Sequence, residues 1–264
     1  MTGPRAGGAP GAVRRNADAD WDRWPVDDYL RENYRDLHPC DAAVVRHHAA
    51  FYRTLPPGSV AASVECGAGP NLYPLMVAAG ACRRIDALEP GAAGRAYLRS
   101  QLTGPVDPGW EAFYALCRSL DPALPPRLDA ALAGVRVVAG DLSTAPEGRY
   151  GLASMTFVAE SVTESAEEFA RLCRDFVHQV RPGGLLVAAF MARMPSYRIG
   201  SGPVWPAFPV GTAEVRAAFA PHTGHLRLAR VPRDPTLPDY GDDGMVLLRA
   251  VRRPRPGPQP SSSR

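Results

Sequence analysis

Residues 60–75 read VAASVECGAGPNLYPL, and the change of character within this stretch decides the fold. Val60 to Val64 is a run of small apolar residues that predicts a buried strand, ending at Glu65. Gly67-Ala68-Gly69-Pro70 extends neither a strand nor a helix comfortably, so the chain turns there. From Leu72 the pattern becomes helical through LYPLMVAAG, closed by Gly80. A strand, a glycine turn and a helix form the opening unit of a nucleotide-binding α/β domain. The glycines admit a ligand to bare backbone, and the helix amides favour negative or polar groups.

Downstream, RRIDALEP predicts a second strand stopped by Pro90, followed by a helix to about Leu102. Residues 103–134, rich in proline and aromatics, predict a helical excursion longer than a crossover needs. GVRVVAGDL is the third strand, ending near Asp141, and YGLASMTFVAESV the fourth. SAEEFARLCRDFVHQV has helical spacing and stops at RPGG, and LLVAAFM is a fully buried fifth strand. An irregular, aromatic lid is expected over 195–210, then a helix from Thr212 and the strands HLRLARV and GMVLLRAV.

Upstream, WDRWPVDDYLRENY predicts a short helix, and a second helix runs from about Asp41, its N-cap, to Arg53. These two form a helical cap over 21–56. The regular alternation predicts an α/β fold: a doubly wound, Rossmann-like sheet of seven mostly parallel strands with an N-terminal helical cap, spanning 21–253. Residues 1–20 and the Pro/Ser-rich 254–264 are expected to be disordered.

The 264 residues suffice for one large domain, and no apolar run reaches membrane-spanning length. All thirty basic residues are arginines, which excludes Schiff-base chemistry and a lysine-bearing P-loop. The formal charge of +3 and the lack of a basic stripe with interleaved aromatics argue against a nucleic-acid partner. Cys40, Cys66, Cys82, Cys117 and Cys173 are dispersed, which suits reduced thiols in a cytoplasm rather than a disulfide framework or zinc site. Residues 1–20 lack the apolar centre of a signal peptide. The Arg-, Ala-, Gly- and Pro-heavy usage points to a GC-rich, bacterial coding sequence. The expectation is a cytoplasmic monomer or homodimer acting on a small molecule, with no metal, membrane or nucleic acid involved.

Ligands of such sheets bind outside the carboxyl ends of the strands, which singles out Glu65, Gly67, Glu89, Asp141 and Glu160. Glu89, 22 residues after Gly67, suits a ribose diol. A dinucleotide fingerprint wants a third glycine where this chain has Leu72. Its absence, with the acid Glu65 before the turn, suits a nucleoside ligand without phosphates. Gly67 and Gly69 would present turn amides to an amino-acid end, and Asp141 would meet an adenine amino group. S-adenosylmethionine fits this set.

DDYLRENY, ECGAGPNLYPL, DALEP, GDL, MTFVAESV, RPGGLLV and SYRIG follow one another in an order that resembles the nicotinamide, phenylethanolamine and indolethylamine N-methyltransferase family, over roughly residues 20–252. The resemblance implies that Tyr29, Tyr34, Gly67, Tyr73, Glu89, Asp141 with Leu142 of GDL, and Thr156 line the cofactor. Tyrosines have their own rationale, since a sulfonium is a cation and ring faces attract cations.

Methyl transfer from a sulfonium is an in-line displacement by a lone pair, and an amine acceptor must first lose a proton. Glu160 stands where aminergic members of that family carry an acid on the substrate amine, and Asp242 of YGDDGM where they carry another. Each also has a plainer reading, as a loop acid and as a turn residue. Phe157, Tyr197 and Trp205 would shape an apolar acceptor pocket. None of the histidines, including His47, His48 and His178, is assigned to catalysis. The nicotinamide-using branch has an acid where this chain aligns Phe190, which argues against nicotinamide and turns a phenylalanine toward the acceptor. An asparagine usual near the ribose is replaced by Gly94. The expected activity is methylation of a small-molecule amine. The alternatives are an O-methyltransferase on a small hydroxylated aromatic and a degenerate fold serving as a binding or scaffold protein.

Overall fold

A computed structural model describes residues 13–144 and 147–254. Seven strands form one sheet in the order β3-β2-β1-β4-β5-β9-β8. They are β1 (Ser63–Cys66), β2 (Ile85–Glu89), β3 (Val135–Ala139), β4 (Tyr150–Thr156), β5 (Val180–Met191), β8 (Thr223–Pro232) and β9 (Gly244–Arg252). β3, β2, β1, β4 and β5 pair in parallel; β9 is antiparallel to β5, and β8 to β9. β1 lies between β2 and β4, so the chain leaves it first to one side and later to the other. That reversal opens a crevice at the carboxyl ends of β1 and β4.

Helices α1 (Val26–Asn33), α2 (Pro39–Tyr52), α3 (Tyr73–Ala78), α4 (Ala92–Thr103), α5 (Glu111–Leu120) and α6 (Leu128–Leu132) pack on one side of the sheet. Their core centres on Leu72, Leu75, Leu98, Trp110 and Phe113. Helices α7 (Ala166–Gln179) and α8 (Thr212–Phe219) cover the other face, with Phe169, Phe176, Phe190 and Phe219 in the second core. A ribbon of β6 (Ser196–Arg198) and β7 (Val204–Pro206) forms a small third cluster at the crevice. Among the described residues no helix is long and apolar enough to cross a membrane.

Four local expectations change. The first strand is Ser63–Cys66, with Val60 making only an isolated bridge to Cys82. The fourth ends at Thr156, because Phe157 adopts a φ of 58° and leaves the sheet. RPGG does not lie between helix and strand: β5 begins at Val180, and the four residues form a bulge between Val180, opposite Tyr150, and Leu185, opposite Leu152. Asp41 is not the N-cap of α2, which is His38.

Residues 13–20, expected to belong to a disordered lead, are folded. Arg14 donates its backbone N–H and Nε to Glu164 at 3.0 and 2.7 Å, and the Asn16 amide donates to Glu168 at 3.1 Å. Residues 1–12 and 255–264 lie outside the described residues. The strap continues through two short 3-10 turns, Asn16–Asp18 and Trp21–Arg23. Asp22 then accepts the Ala92 amide of α4 at 2.6 Å.

Candidate active site

The turn after β1 brings Gly67 and Gly69 to positive φ, 64° and 53°. A Cβ on Gly67 would lie 2.7 Å from Cγ2 of Val158, so only glycine lets this turn pass beneath the loop after β4. The Ala68 amide donates to the Leu88 carbonyl at 3.1 Å, tying the turn to β2. Glu89, at the end of β2, accepts from the Gly69 amide through Oε2 at 2.8 Å and from the Gly91 amide through Oε1 at 2.7 Å. Burial raises its pKa, while those two amides and Arg95 pull it down. Gly94 is explained here: a Cβ would stand 3.1 Å from the Glu89 carboxyl carbon.

These groups line a cavity at the sheet crevice, together with Asp141, Thr156, Phe157 and Tyr29. Asp141 anchors an Asx turn, with Oδ1 accepting from the Ser143 amide at 2.9 Å and its hydroxyl at 2.6 Å. Leu142 adds an apolar wall. Thr156 Oγ1 is buried without a hydrogen-bond partner. A second cavity shares Trp24, Tyr29, Phe157, Ser161 and Tyr197 with the first. One cavity thus opens against the other across a wall of rings.

Several expected residues lie elsewhere. Tyr34 lines the second cavity and not the first; its hydroxyl stands 3.2 Å from that of Tyr29. Tyr73 is fully buried in the core, stacked on Phe113 at 5.8 Å, because α3 turns it beneath the glycine turn and away from the crevice. Glu65 points inward from β1 to the Ser154 hydroxyl and does not line the cavity; burial pushes its pKa up to about 7. Phe190 lies in the second core against Phe169 and Phe219. Strand alternation gives the second cavity to its neighbour Met191 instead.

Neither proposed catalytic acid lies on the cavity walls. Glu160 is wholly buried and accepts the Met191 amide through Oε1 at 2.8 Å, holding the end of β5 to the loop after β4. Burial pushes its pKa to about 8. Asp242 accepts the Gly244 amide at 2.8 Å, as a turn residue does, and borders a separate pocket.

Sequence reading missed the strap. Asn16, Trp21 and Trp24 line the first cavity. Trp21 stacks on Trp205 of β7 at 5.0 Å, and Trp24 meets the same ring at 4.8 Å. The signal was there: two tryptophans in an otherwise polar DWDRW have no surface role. Asp41, read as a cap, was also missed; it lines the second cavity.

No protein-family model matches the chain, and no curated protein does. Solved structures do. A SAM-dependent methyltransferase from Methanosarcina mazei superposes with a TM-score of 0.54 at 11% identity, over 83% of this chain and 99% of that one. The N-methyltransferase NodS from Bradyrhizobium japonicum, in complex with S-adenosyl-L-homocysteine, gives 0.50 at 15% identity, over 89% of this chain and 99% of its own. The fold is that of a class I methyltransferase. At these identities the likeness is one of architecture.

Proposed function

We propose that the protein is an S-adenosylmethionine-dependent methyltransferase that transfers a methyl group to a nitrogen of a small-molecule amine. The observation that carries this reading is the pair of joined cavities. One carries the glycine turn, Glu89 and Asp141 at the carboxyl ends of β1, β2 and β3, and the other is walled largely by rings and methionines.

The residues present fit the cofactor. Gly67 has no room for a Cβ, Glu89 is held at the end of β2 by two amides, and Thr156 Oγ1 is a buried hydroxyl without a partner. The turn after β1 would take the amino-acid end, Glu89 the ribose hydroxyls and Asp141 the adenine amino group, with Leu142 against the base. Trp24 and Tyr29 stand at the wall shared by the cavities, where ring faces favour a cation. When bound, the cofactor supplies an electrophilic methyl on a sulfonium. The chain's own part is to hold an acceptor across the shared wall, and such orientation is worth on the order of 7–11 kcal/mol. Phe157, turned out of the sheet at positive φ, and Tyr197, whose hydroxyl donates to the Ser161 carbonyl at 3.0 Å, set that wall.

Calorimetric titration with S-adenosylmethionine and S-adenosylhomocysteine tests the reading. Both are expected to bind the native protein at micromolar concentration, and Glu89→Ala to lose at least about 30-fold in affinity, as removal of a charged hydrogen-bonding partner implies. Failure of both to bind would leave a methyltransferase fold serving as a scaffold.

A further inference from the structure

The second cavity is walled by Trp24, Tyr29, Tyr34, Tyr197 and Tyr240, and among the described residues Asp41 is the one charged group on it. Asp41 is 2% exposed, and its Oδ2 has no hydrogen-bond partner. The Tyr73 hydroxyl lies beside it as a neutral neighbour with no hydrogen-bond partner, while Tyr34 and Tyr240 are already engaged. Tyr34 is tied to Tyr29 and to the Asn71 amide, and Tyr240 donates to Asn33 at 3.1 Å. Asp41 does not serve its own helix either. The Cys40 amide in the first turn of α2 is taken by Asp234 at 3.1 Å.

A buried carboxylate without a partner is unfavourable unless it is protonated or paired. Burial pushes the Asp41 pKa up to about 8; the Tyr73 hydroxyl pulls it down and Asp234 pushes it further up. No arginine or histidine among the described residues lines this cavity, and the chain has no lysine. Among the described residues no cation of the chain stands ready to pair with the ionised carboxylate, so an ammonium-bearing ligand is what would hold it in that form, and the ring faces favour the same sign.

We propose that Asp41 is the anchor for a positively charged nitrogen of the acceptor, so that this cavity selects molecules with an ammonium head and an apolar or aromatic body. The proposal rests on the methyltransferase reading for there being an acceptor at all. It assigns to α2 the role that the sequence had given to Glu160 and Asp242.

Phenylpropylamine, phenylpropanol and hydrocinnamate share one body and differ in head charge. They are titrated at neutral pH into the native protein and Asp41→Asn, with and without saturating S-adenosylhomocysteine. The native protein is expected to bind the amine at least about 30-fold more tightly than the alcohol, with hydrocinnamate weakest. In Asp41→Asn the amine-to-alcohol ratio should fall to within about threefold, while alcohol and S-adenosylhomocysteine affinities stay within about twofold. An unchanged ratio in the variant overturns the proposal, as does hydrocinnamate binding as well as the amine, or none of the three binding. Should the variant fail to fold, the order of the three probes on the native protein decides alone. Failure of S-adenosylhomocysteine to bind would sink the methyltransferase reading separately, since the amine ratio is still read without it.

Discussion

Gly67 and Gly69 share a turn and a positive φ, yet they stand in different surroundings. At Gly69 the nearest atom to an added Cβ is the Gly67 carbonyl oxygen at 4.0 Å, whereas at Gly67 two methyls of Val158 lie within 2.8 Å. Gly69→Ala is therefore expected to lose only the left-handed backbone preference, about 1 kcal/mol. Gly67→Ala should lose about 2–4 kcal/mol in urea unfolding, because the clash adds to the same backbone term. It should also weaken S-adenosylmethionine binding at least about tenfold, since Val158 lines the cavity and has to move. Equal losses at the two glycines would show that the turn yields freely. Both glycines were legible in the sequence because backbone conformation is a local property. Asp41 was not: an aspartate ahead of an apolar helix looks like a cap in one dimension, and only the fold shows which cavity it reaches.

The strap and the β6–β7 ribbon meet chiefly at Trp205, beside an Arg14 hydrogen bond to the Val204 carbonyl at 2.7 Å and a Trp24–Tyr197 edge contact. Trp205, 5% exposed, carries both Trp21 and Trp24, and those two line the first cavity. Trp205→Ala is expected to cost about 3 kcal/mol of stability and to weaken S-adenosylhomocysteine binding about tenfold, while the strap at 13–24 becomes susceptible to proteolysis. A protected strap with unchanged affinity would show that Arg14 and Asp22 hold it without the rings. Among the elements, α7 was readable almost to the residue. Its apolar positions follow the helical period, and Ser165 caps the Glu168 amide at 3.3 Å. β5 was less so, because whether RPGG ends a helix or bulges a strand depends on the partner strand β4.

Across the whole molecule, Asp41, Glu65 and Glu160 are buried acids whose pKa values lie at about 8, 7 and 8. In the unfolded chain such acids titrate near about 4. Between those values the native state binds more protons than the unfolded state, so these groups make stability fall as pH rises from about 4 to about 8. The paired acids Glu164, Glu168 and Asp234, whose pKa values are lowered, act in the opposite sense and lose their contribution only at lower pH. Thermal unfolding is thus expected to show maximal stability in mildly acid solution. Glu160→Gln should gain several degrees in Tm over the native protein near pH 8 and little near pH 5, because glutamine removes the burial penalty of the charge and keeps an acceptor for Met191. An equal gain at both pH values would mean that Glu160 ionises freely in the folded state.

By itself the sequence determined the architecture and placed the glycine turn, Glu89 and Asp141 together on the first cavity. Strand and helix periods, the double-glycine turn and acids such as Glu89 and Asp141 at strand ends are local patterns, and a doubly wound sheet places strand ends in one crevice whatever else varies. The second cavity was decided only by tertiary structure. One step of alternation separates Phe190 in the core from Met191 at the cavity, a hydrogen bond to Met191, 31 residues on, holds Glu160 off the wall, and Asp242 is taken up by its own turn at Gly244. What remains there is Asp41, whose meaning depends on rings contributed by α1, β6, the strap and the loop before β9. Burial and partnership are relations between distant segments, and no single stretch of sequence contains them.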